Sequence, residues 1–317
     1  MKLLLSCPHI ISYDKMLSTK LCGVELENPT VLASGILGVT ASSLALVARA
    51  GAGCVTKKSI GQRPREGHDN PVMVEVTGGY LNAMGLPGAG MVESIKELED
   101  YKQLSKTPII ASFYGTKVGE FAEVAAKLDG KADLLEANIS CPNVEHEFGH
   151  PFASSCEDAS AVVKGIKRVI RTPLLVKLSP NVPDIGDVAR AVEKAGADGI
   201  TAINTVGPGM VIDLKTQRPV LTNKSGGMSG PAIKPIMVRC VYDIYESVKI
   251  PILGVGGVLT GEDAAEAIMA GARAVGIGTG IRYRGVEIFK LVQKELQGFM
   301  KKEGFKSLED MVGVAHG

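Results

Sequence analysis

Short apolar runs alternate along the chain with longer amphipathic segments. The runs are bounded by glycine, proline or polar residues, which is typical of buried strands. They cover Val31–Gly35, Cys54–Ser59, Pro108–Phe113, Leu134–Ser140, Leu174–Ser179, Gly199–Thr205, Pro251–Gly257 and Ala274–Thr279. Segments between them carry apolar residues at helical spacing: Val118–Leu128, Glu157–Ile170, Ile185–Ala195, Ala232–Ser247 and Gly261–Ala270. This alternation predicts a parallel sheet closed into a (β/α)8 TIM barrel, with an open doubly wound sheet as the alternative.

A short motif recurs where helices are expected to end. Ala50-Gly51-Ala52, Ala195-Gly196-Ala197 and Ala270-Gly271-Ala272 each stand between a predicted helix and the next strand. Glycine at such a position can adopt the positive φ that ends a helix. We therefore interpret the repeat as structural.

Two inserts interrupt the alternation. One spans Val72–Gly90, and the other spans Val211–Gly230 with a predicted hairpin around Thr216-Gln217. Both follow strand ends, so we expect them to lie over the C-terminal mouth of the barrel. Long segments in that place usually build active sites.

Composition narrows the class of protein. The chain has 317 residues and a net charge of +1, which gives no electrostatic reason to expect nucleic acid or an anionic membrane as partner. Its six cysteines are scattered without a C-x-x-C pair, so a reducing cytoplasm is the expected location. The apolar run at the N-terminus is too short for a signal peptide or a membrane span. We interpret residues 1–15 as an extension and residues 16–317 as a single barrel domain.

The most distinctive segment follows the fourth predicted strand and reads Asn138-Ile139-Ser140-Cys141-Pro142-Asn143. Asparagine amides can hydrogen-bond a planar heterocycle on both its donor and its acceptor edges. A cysteine between two of them is placed like a nucleophile or a base. A small buried thiol is the alternative interpretation.

Glycines cluster after the last three predicted strands. The runs are Gly226–Pro231, Gly254–Gly257 and Gly276–Thr279. Loops of this kind let backbone N–H groups point at phosphate oxygens. The runs therefore predict a phosphate-binding corner without specifying which phosphate compound it binds.

The Asn-x-Ser-Cys-Pro-Asn segment resembles the active-site loop of class 1 dihydroorotate dehydrogenases, and the resemblance extends from about Met16 to Arg284. In that family the cysteine takes the C5 proton of the substrate, a role that falls on Cys141 here. Class 2 enzymes carry serine at this position and an N-terminal membrane-binding extension. The resemblance implies a flavin mononucleotide (FMN) enzyme that oxidises dihydroorotate to orotate in pyrimidine (UMP) biosynthesis.

The resemblance also implies site residues. Those expected to bind substrate are Lys58, Asn82, Ala83, Met84, Gly85, Leu86, Asn138, Asn143, Asn204 and Thr205. Those expected to bind FMN are Ser34, Lys58, Ser59, Ser112, Asn138, Lys177, Ile203, Gly230, Gly256, Gly257, Gly278 and Thr279. Lys177 is expected near N1 of the flavin, where a positive charge stabilises the reduced form. Ser112 departs from the family, which commonly has asparagine there, and the segment 144–155 departs as well.

Segment 144–155 also contains His146-Glu147-Phe148-Gly149-His150, which matches the zinc motif H-E-x-x-H. That motif binds metal only on a helix, where the two imidazoles share a face. Gly149 and Pro151 disfavour a helix. We therefore predict no metal site.

Class 1 enzymes divide by electron acceptor into a stand-alone type that uses fumarate and a type that reduces NAD. The second type pairs with a subunit carrying FAD and an iron–sulfur cluster. The run Asn223–Pro231 and the Leu214-Lys215-Thr216 hairpin resemble the second type more closely. The resemblance thus implies such a partner around a homodimeric core.

Two rival functions stay open: another FMN barrel acting on pyrimidines, like dihydropyrimidine dehydrogenase, and a barrel without flavin that binds a sugar phosphate.

Overall fold

The computed structural model describes residues 16–140 and 152–317. In chain order its strands are β1 (Thr19–Leu21), β2 (Val24–Leu26), β3 (Thr30–Leu32), β4 (Val55–Ile60), β5 (Met73–Val76), β6 (Gly79–Asn82), β7 (Ile109–Phe113), β8 (Leu134–Asn138), β9 (Leu174–Leu178), β10 (Gly199–Ala202), β11 (Val206–Gly209), β12 (Ile212–Asp213), β13 (Arg218–Pro219), β14 (Gly226–Ser229), β15 (Ile252–Val255) and β16 (Ala274–Ile277). Its helices are α1 (Ala41–Arg49), α2 (Gly90–Leu104), α3 (Val118–Leu128), α4 (Cys156–Lys167), α5 (Ile185–Lys194), α6 (Lys234–Ser247), α7 (Gly261–Met269), α8 (Gly280–Arg284) and α9 (Ile288–Glu303).

Eight of the described strands form one parallel sheet, in the order β3-β16-β15-β10-β9-β8-β7-β4. The two end strands meet through a parallel bridge between Val31 and Cys54, and the backbone N–H of Leu32 donates to the Cys54 carbonyl at 2.9 Å. This contact closes the sheet, so the predicted barrel is confirmed and the open doubly wound sheet is excluded.

Each predicted strand overlaps one barrel strand, but most predicted strands extend too far at their C-terminal ends. The fourth run was predicted to reach Ser140, whereas β8 ends at Asn138, and the sixth was predicted to reach Thr205, whereas β10 ends at Ala202. Beyond these points the backbone leaves the ladder and turns into the loops of the mouth. The residues wrongly included in strands are therefore the ones that build those loops.

The N-terminal end of the barrel is covered by the β1–β2 hairpin. Leu21 and Leu26 of this hairpin are buried and belong to one apolar cluster with Leu134, Leu175 and Leu253 of the barrel interior. The cluster fills that end of the barrel with hydrocarbon and excludes water from it. Any binding site on the barrel axis must therefore open at the opposite, C-terminal end.

The two predicted inserts join in one antiparallel sheet over the C-terminal mouth. Its order is β11-β14-β6-β5, with Gly227 of β14 opposite Asn82 of β6. The hairpin predicted around Thr216-Gln217 is confirmed as β12–β13. The glycine run at Gly226–Pro231 was expected to be a loop, but its first four residues form β14. A Cβ at Gly226 would lie 2.6 Å from the Asn82 carbonyl oxygen, so glycine permits this close pairing.

The three Ala-Gly-Ala motifs end helices as predicted. Gly51, Gly196 and Gly271 follow α1, α5 and α7 and have φ values of +99°, +105° and +122°. At Gly271 a Cβ would also lie 2.4 Å from the ring of Tyr245. Glycine is therefore required there by both backbone conformation and packing.

None of the helices in the described ranges is both long enough and apolar enough to cross a bilayer.

Candidate functional site

A cavity of about 470 Å³ opens at the C-terminal ends of the barrel strands, beneath the sheet formed by the inserts. This volume is in the range of small-molecule and cofactor sites. Seventeen of the predicted site residues line it: Ser34, Lys58, Ser59, Asn82, Met84, Gly85, Leu86, Asn138, Lys177, Ile203, Asn204, Thr205, Gly230, Gly256, Gly257, Gly278 and Thr279.

Four predicted residues are not part of this lining. Ala83 is fully buried, and its backbone N–H donates to the Val72 carbonyl at 2.8 Å. This hydrogen bond holds the Asn82–Leu86 segment against the segment that contains Val72. Ser112 is fully buried one layer below the cavity. Cys141 and Asn143 lie outside the described residues.

Ser112 supports one side of the cavity floor. Its Oγ lies 2.9 Å from Ser59 Oγ, and Ser59 Oγ in turn lies 3.4 Å from Ser34 Oγ. Asn138 Nδ2 donates to the same Ser59 hydroxyl at 3.3 Å. These side chains come from four strand ends, and Ser112 lies against Ser59 beneath the cavity lining.

The other side of the floor is built around Asn204. Its Nδ2 donates to Ser140 Oγ at 2.8 Å and to Asn138 Oδ1 at 3.4 Å. Its Oδ1 accepts the backbone N–H of Thr205 at 2.8 Å, and Ser140 Oγ donates to Asn138 Oδ1 at 3.2 Å. Together with the serines, this network fixes amide groups along the floor from β3 to β10.

Two lysines enter the cavity from the barrel wall. Side chains alternate along a strand, so Lys58 faces the cavity while Lys57 faces outward and donates to the Val39 carbonyl at 2.7 Å. Burial lowers the pKa of Lys57. Lys177 is only 7% exposed and stands between Asn138 and Thr201 in the sheet register. A buried cation at this position favours an anionic ligand or a ligand that becomes anionic.

The far corner of the cavity is formed by backbone. Gly257 has φ +74°, and a Cβ there would lie 2.8 Å from Lys234 Cβ and 2.9 Å from its backbone nitrogen. Thr279 Oγ1 donates to Ser229 Oγ at 2.8 Å beside Gly230. Glycine backbone and hydroxyls are the groups that hold a phosphate in barrel enzymes. The corner therefore fits the phosphate of a nucleotide cofactor.

Several lining residues were not identified from the sequence. Tyr80 of β6 and Arg282 of α8 face each other, with the guanidinium carbon 5.6 Å from the ring centroid, a cation–π contact. Met73 and Ser229 line the cavity as well. Tyr80, Met73 and Ser229 belong to the inserts, and Arg282 follows the last barrel strand. In these segments the hydrophobic periodicity does not indicate which way a side chain points.

Within residues 16–140 and 152–317, no group of three or more histidine, cysteine, aspartate or glutamate side chains could hold a metal ion. The motif His146–His150 lies outside the described residues.

The cysteine thiols in the described part of the chain are poorly suited to act as bases at neutral pH. Cys22, Cys54, Cys156 and Cys240 are all free. Burial, with a further contribution from nearby aspartates, raises the pKa of Cys22 to about 12 and that of Cys240 to about 11. Burial also raises the pKa of Cys54 and of Cys156.

The chain was compared with protein families and characterised proteins. The family model "Dihydroorotate dehydrogenase" matches residues 16–300. The chain is 49% identical to the dihydroorotate dehydrogenase B (NAD(+)) catalytic subunit of Methanothermobacter thermautotrophicus, over 95% of this chain and 99% of that protein. The subunit of the same name from Methanocaldococcus jannaschii is 49% identical, over 95% and 98%, and that from Pyrococcus abyssi is 43% identical, over 95% and 99%. The chain therefore belongs to the dihydroorotate dehydrogenase family.

Proposed function

We propose that this chain is the FMN-binding catalytic subunit of a cytoplasmic, NAD-linked dihydroorotate dehydrogenase that acts in pyrimidine biosynthesis. The observation that carries the proposal is the convergence of Asn82, Asn138, Asn204 and Lys177 on one cavity that ends in a glycine-lined corner. Asparagines can recognise a pyrimidine edge, and the corner suits a cofactor phosphate.

The residues present fit FMN. The backbone at Gly256, Gly257 and Gly278 would hold its phosphate, and Lys58 and Lys177 would face its ring system. When bound, the flavin supplies the two-electron acceptor for the hydride that leaves C6 of dihydroorotate. The positive charge of Lys177 favours the negative charge that accumulates during this step.

The substrate ring would lie against the asparagines of the floor and roof. Within the described residues, Asn82 Nδ2 donates one long hydrogen bond, 3.4 Å to the Gly227 carbonyl, and its amide oxygen would face a ligand. Backbone amides of Met84–Leu86 would hold the substrate carboxylate. Asn143 completes this set in the resemblance on which the proposal draws.

Cys141 would remove the C5 proton. A thiol with an ordinary pKa near ~8.5 is mostly protonated at neutral pH, so flavin reduction should become faster as the pH rises toward that value. Its immediate neighbour Ser140 is tied to Asn138 and Asn204, which favours a fixed position for the start of the loop.

Two observations support a second subunit. The relatives are named NAD(+)-linked catalytic subunits, a name that implies other subunits in those enzymes. The part of the chain that the structure describes holds no cysteine cluster for an iron–sulfur centre. We propose that electrons pass to NAD through a partner with FAD and such a cluster, bound to a homodimer of this chain.

The choice of substrate is tested by the visible spectrum of the purified protein under anaerobic conditions. Dihydroorotate should bleach the flavin absorbance, whereas dihydrouracil should not. Bleaching by dihydrouracil alone would indicate an enzyme like dihydropyrimidine dehydrogenase. A colourless protein that does not take up added FMN would favour the barrel that binds a sugar phosphate.

The electron acceptor is tested by reconstitution. The chain alone should be reduced by dihydroorotate without reducing NAD, and co-expression with the iron–sulfur/FAD subunit from the same source should restore NAD reduction. Efficient fumarate reduction by the chain alone, without any gain from the partner, would place it in the stand-alone type.

A further inference from the structure

A buried carboxylate inside the barrel has no role in the reaction described above. Glu136 stands on β8 between Leu134, which belongs to the interior cluster, and Asn138, which lines the cavity. Alternation along a strand therefore places the Glu136 side chain inside the barrel, just below the cavity floor. It is only 2% exposed.

In the part of the chain that the structure describes, only one of its two carboxylate oxygens accepts a hydrogen bond. Thr201 Oγ1 donates to Glu136 Oε2 at 2.8 Å, whereas Oε1 has no hydrogen-bond partner among the described residues. A buried anion with an unpaired oxygen is costly unless a positive charge compensates for it. The position of Thr201 indicates where that charge is found.

Thr201 lies directly opposite Lys177 in the parallel register of β10 and β9, and Glu136 is on the strand at the other side of β9. The hydrogen bond from Thr201 to Glu136 thus crosses the inner face of β9 beside Lys177. Lys177 is buried as well. Within residues 16–140 and 152–317 no carboxylate forms a direct salt bridge with it, so any charge that compensates for it acts at longer range. One buried cation and one buried anion therefore share Thr201 as neighbour.

We propose that Glu136 is the counter-ion of Lys177 across Thr201, without a direct salt bridge, and that it limits how strongly the lysine's positive charge acts on the cofactor at the cavity floor. Glu136 is a positioning residue, since it lies below the floor and does not line the cavity. Its effect on a bound flavin rests on the proposed function, whereas its pairing with Lys177 does not.

The pairing is tested first by thermal unfolding of flavin-free protein in four forms: wild type, Glu136→Gln, Lys177→Gln and the double variant. Each single change leaves one buried charge without its partner and should lower the melting temperature. The double variant removes both charges and should melt at a higher temperature than the less stable single variant. Strictly additive losses would overturn the proposal.

A parallel set with Lys58→Gln in place of Lys177→Gln is the matched control. Lys58 also faces the cavity, but β7 separates its strand from β8. Compensation by Lys58→Gln instead of Lys177→Gln would overturn the assignment. If Glu136→Gln does not fold by itself, recovery of folding in the Glu136→Gln/Lys177→Gln variant is the expected result, and no recovery overturns the proposal.

The second measurement is the ratio of reduced to oxidised flavin in equilibrium with a reference dye. This ratio should rise about tenfold in Glu136→Gln, which is about 30 mV for a two-electron couple. It should fall in Lys177→Gln and return toward wild type in the double variant. Thr201→Val keeps both charges and should lower the melting temperature without this shift.

The two proposals fail in different ways. If wild type lacks flavin, or if dihydroorotate does not bleach it, the proposed function fails while the unfolding experiment still decides the pairing. If wild type is bleached and Glu136→Gln leaves the flavin ratio unchanged, the inference about the cofactor is overturned and the proposed function stands.

Discussion

Asn204 donates a 2.8 Å hydrogen bond from its side-chain amide to the hydroxyl of Ser140, the residue that directly precedes Cys141. The bond joins the end of β10 to the loop after β8 and so passes over the end of β9. Ser140 is almost fully buried, so water cannot replace this donor. The residue proposed to bind substrate therefore also holds Ser140, which directly precedes the proposed base.

Replacing Asn204 by alanine should impair flavin reduction by dihydroorotate. The change removes a substrate contact and leaves Ser140 and Asn138 short of a partner, a loss of about 1–3 kcal/mol. We expect kcat/KM for flavin reduction to fall about 5- to 150-fold. Asn223→Ala is the control, because Asn223 is exposed and donates to the Ser225 carbonyl away from the cavity lining. A rate within threefold of wild type for Asn204→Ala would contradict this role.

Gly257→Ala should weaken retention of the cofactor. The residue has φ +74°, and a Cβ would lie within 3.0 Å of Lys234 and of the Gly230 carbonyl, so the corner must shift. Gly285→Ala is a matched control, since Gly285 has φ +65° but nothing within 4 Å of a Cβ. Both variants carry backbone strain, but only Gly257→Ala should raise the dissociation constant of FMN, by about tenfold, or 1.4 kcal/mol. Equal dissociation constants would place the phosphate elsewhere.

Asp263 should contribute stability that depends on pH. Burial alone would raise its pKa, but hydrogen bonds from the Leu259 and Thr260 backbone and from Lys234 outweigh burial and hold the pKa below its ordinary value. A carboxyl group with a lowered folded-state pKa stabilises the protein above its unfolded pKa, near ~3.9, and this contribution is lost as the pH falls through the folded-state value. Asp263→Ala should therefore lower the free energy of unfolding by about 1–2 kcal/mol at pH 7 and by less at pH 3.

The measurement is urea unfolding at both pH values. Glu262→Gln is the control, because Glu262 is the exposed neighbour on the same helix and should change the free energy of unfolding by less than about 0.5 kcal/mol. A deficit of Asp263→Ala that is equal at pH 7 and pH 3 would mean that the carboxylate charge is not involved.

The barrel could be predicted because its strands are buried on both faces and so appear as continuous apolar runs. The β1–β2 hairpin could not, because its turn at Cys22-Gly23, with φ +49° and +85°, lacks the usual Asn-Gly signal. The sheet over the mouth was also missed. Its central pair joins β14 to β6, which are far apart in the chain, and no local pattern reports such a pairing.

The site was predictable where a strand end carries a polar residue, because carboxyl ends of parallel strands meet at one mouth. Asn138, Lys177 and Asn204, which line the cavity, were predicted in this way. Tyr80 and Arg282 were not, because their direction depends on how an insert and α8 fold over the cavity. Ser112 was expected to contact the cofactor, and the structure places its hydroxyl against Ser59 beneath the cavity lining.

The Cys141→Ser variant tests whether Cys141 acts as a base or only occupies space in the site. A hydroxyl is a weaker base than a thiol, so this variant should retain flavin and reduce it slowly, with the rate rising further toward alkaline pH than in wild type. The measurement is the pH profile of the reduction rate between neutral and alkaline pH. An unchanged rate and profile would mean that Cys141 does not take the proton.

The most direct test of the proposed chemistry is the rate at which dihydroorotate bleaches the bound flavin of Cys141→Ala in a single anaerobic turnover. The account predicts a protein with the flavin content of wild type and a rate about 10²- to 10⁴-fold lower, as expected from loss of a positioned base. A rate close to that of wild type would contradict the assignment of Cys141 as the base.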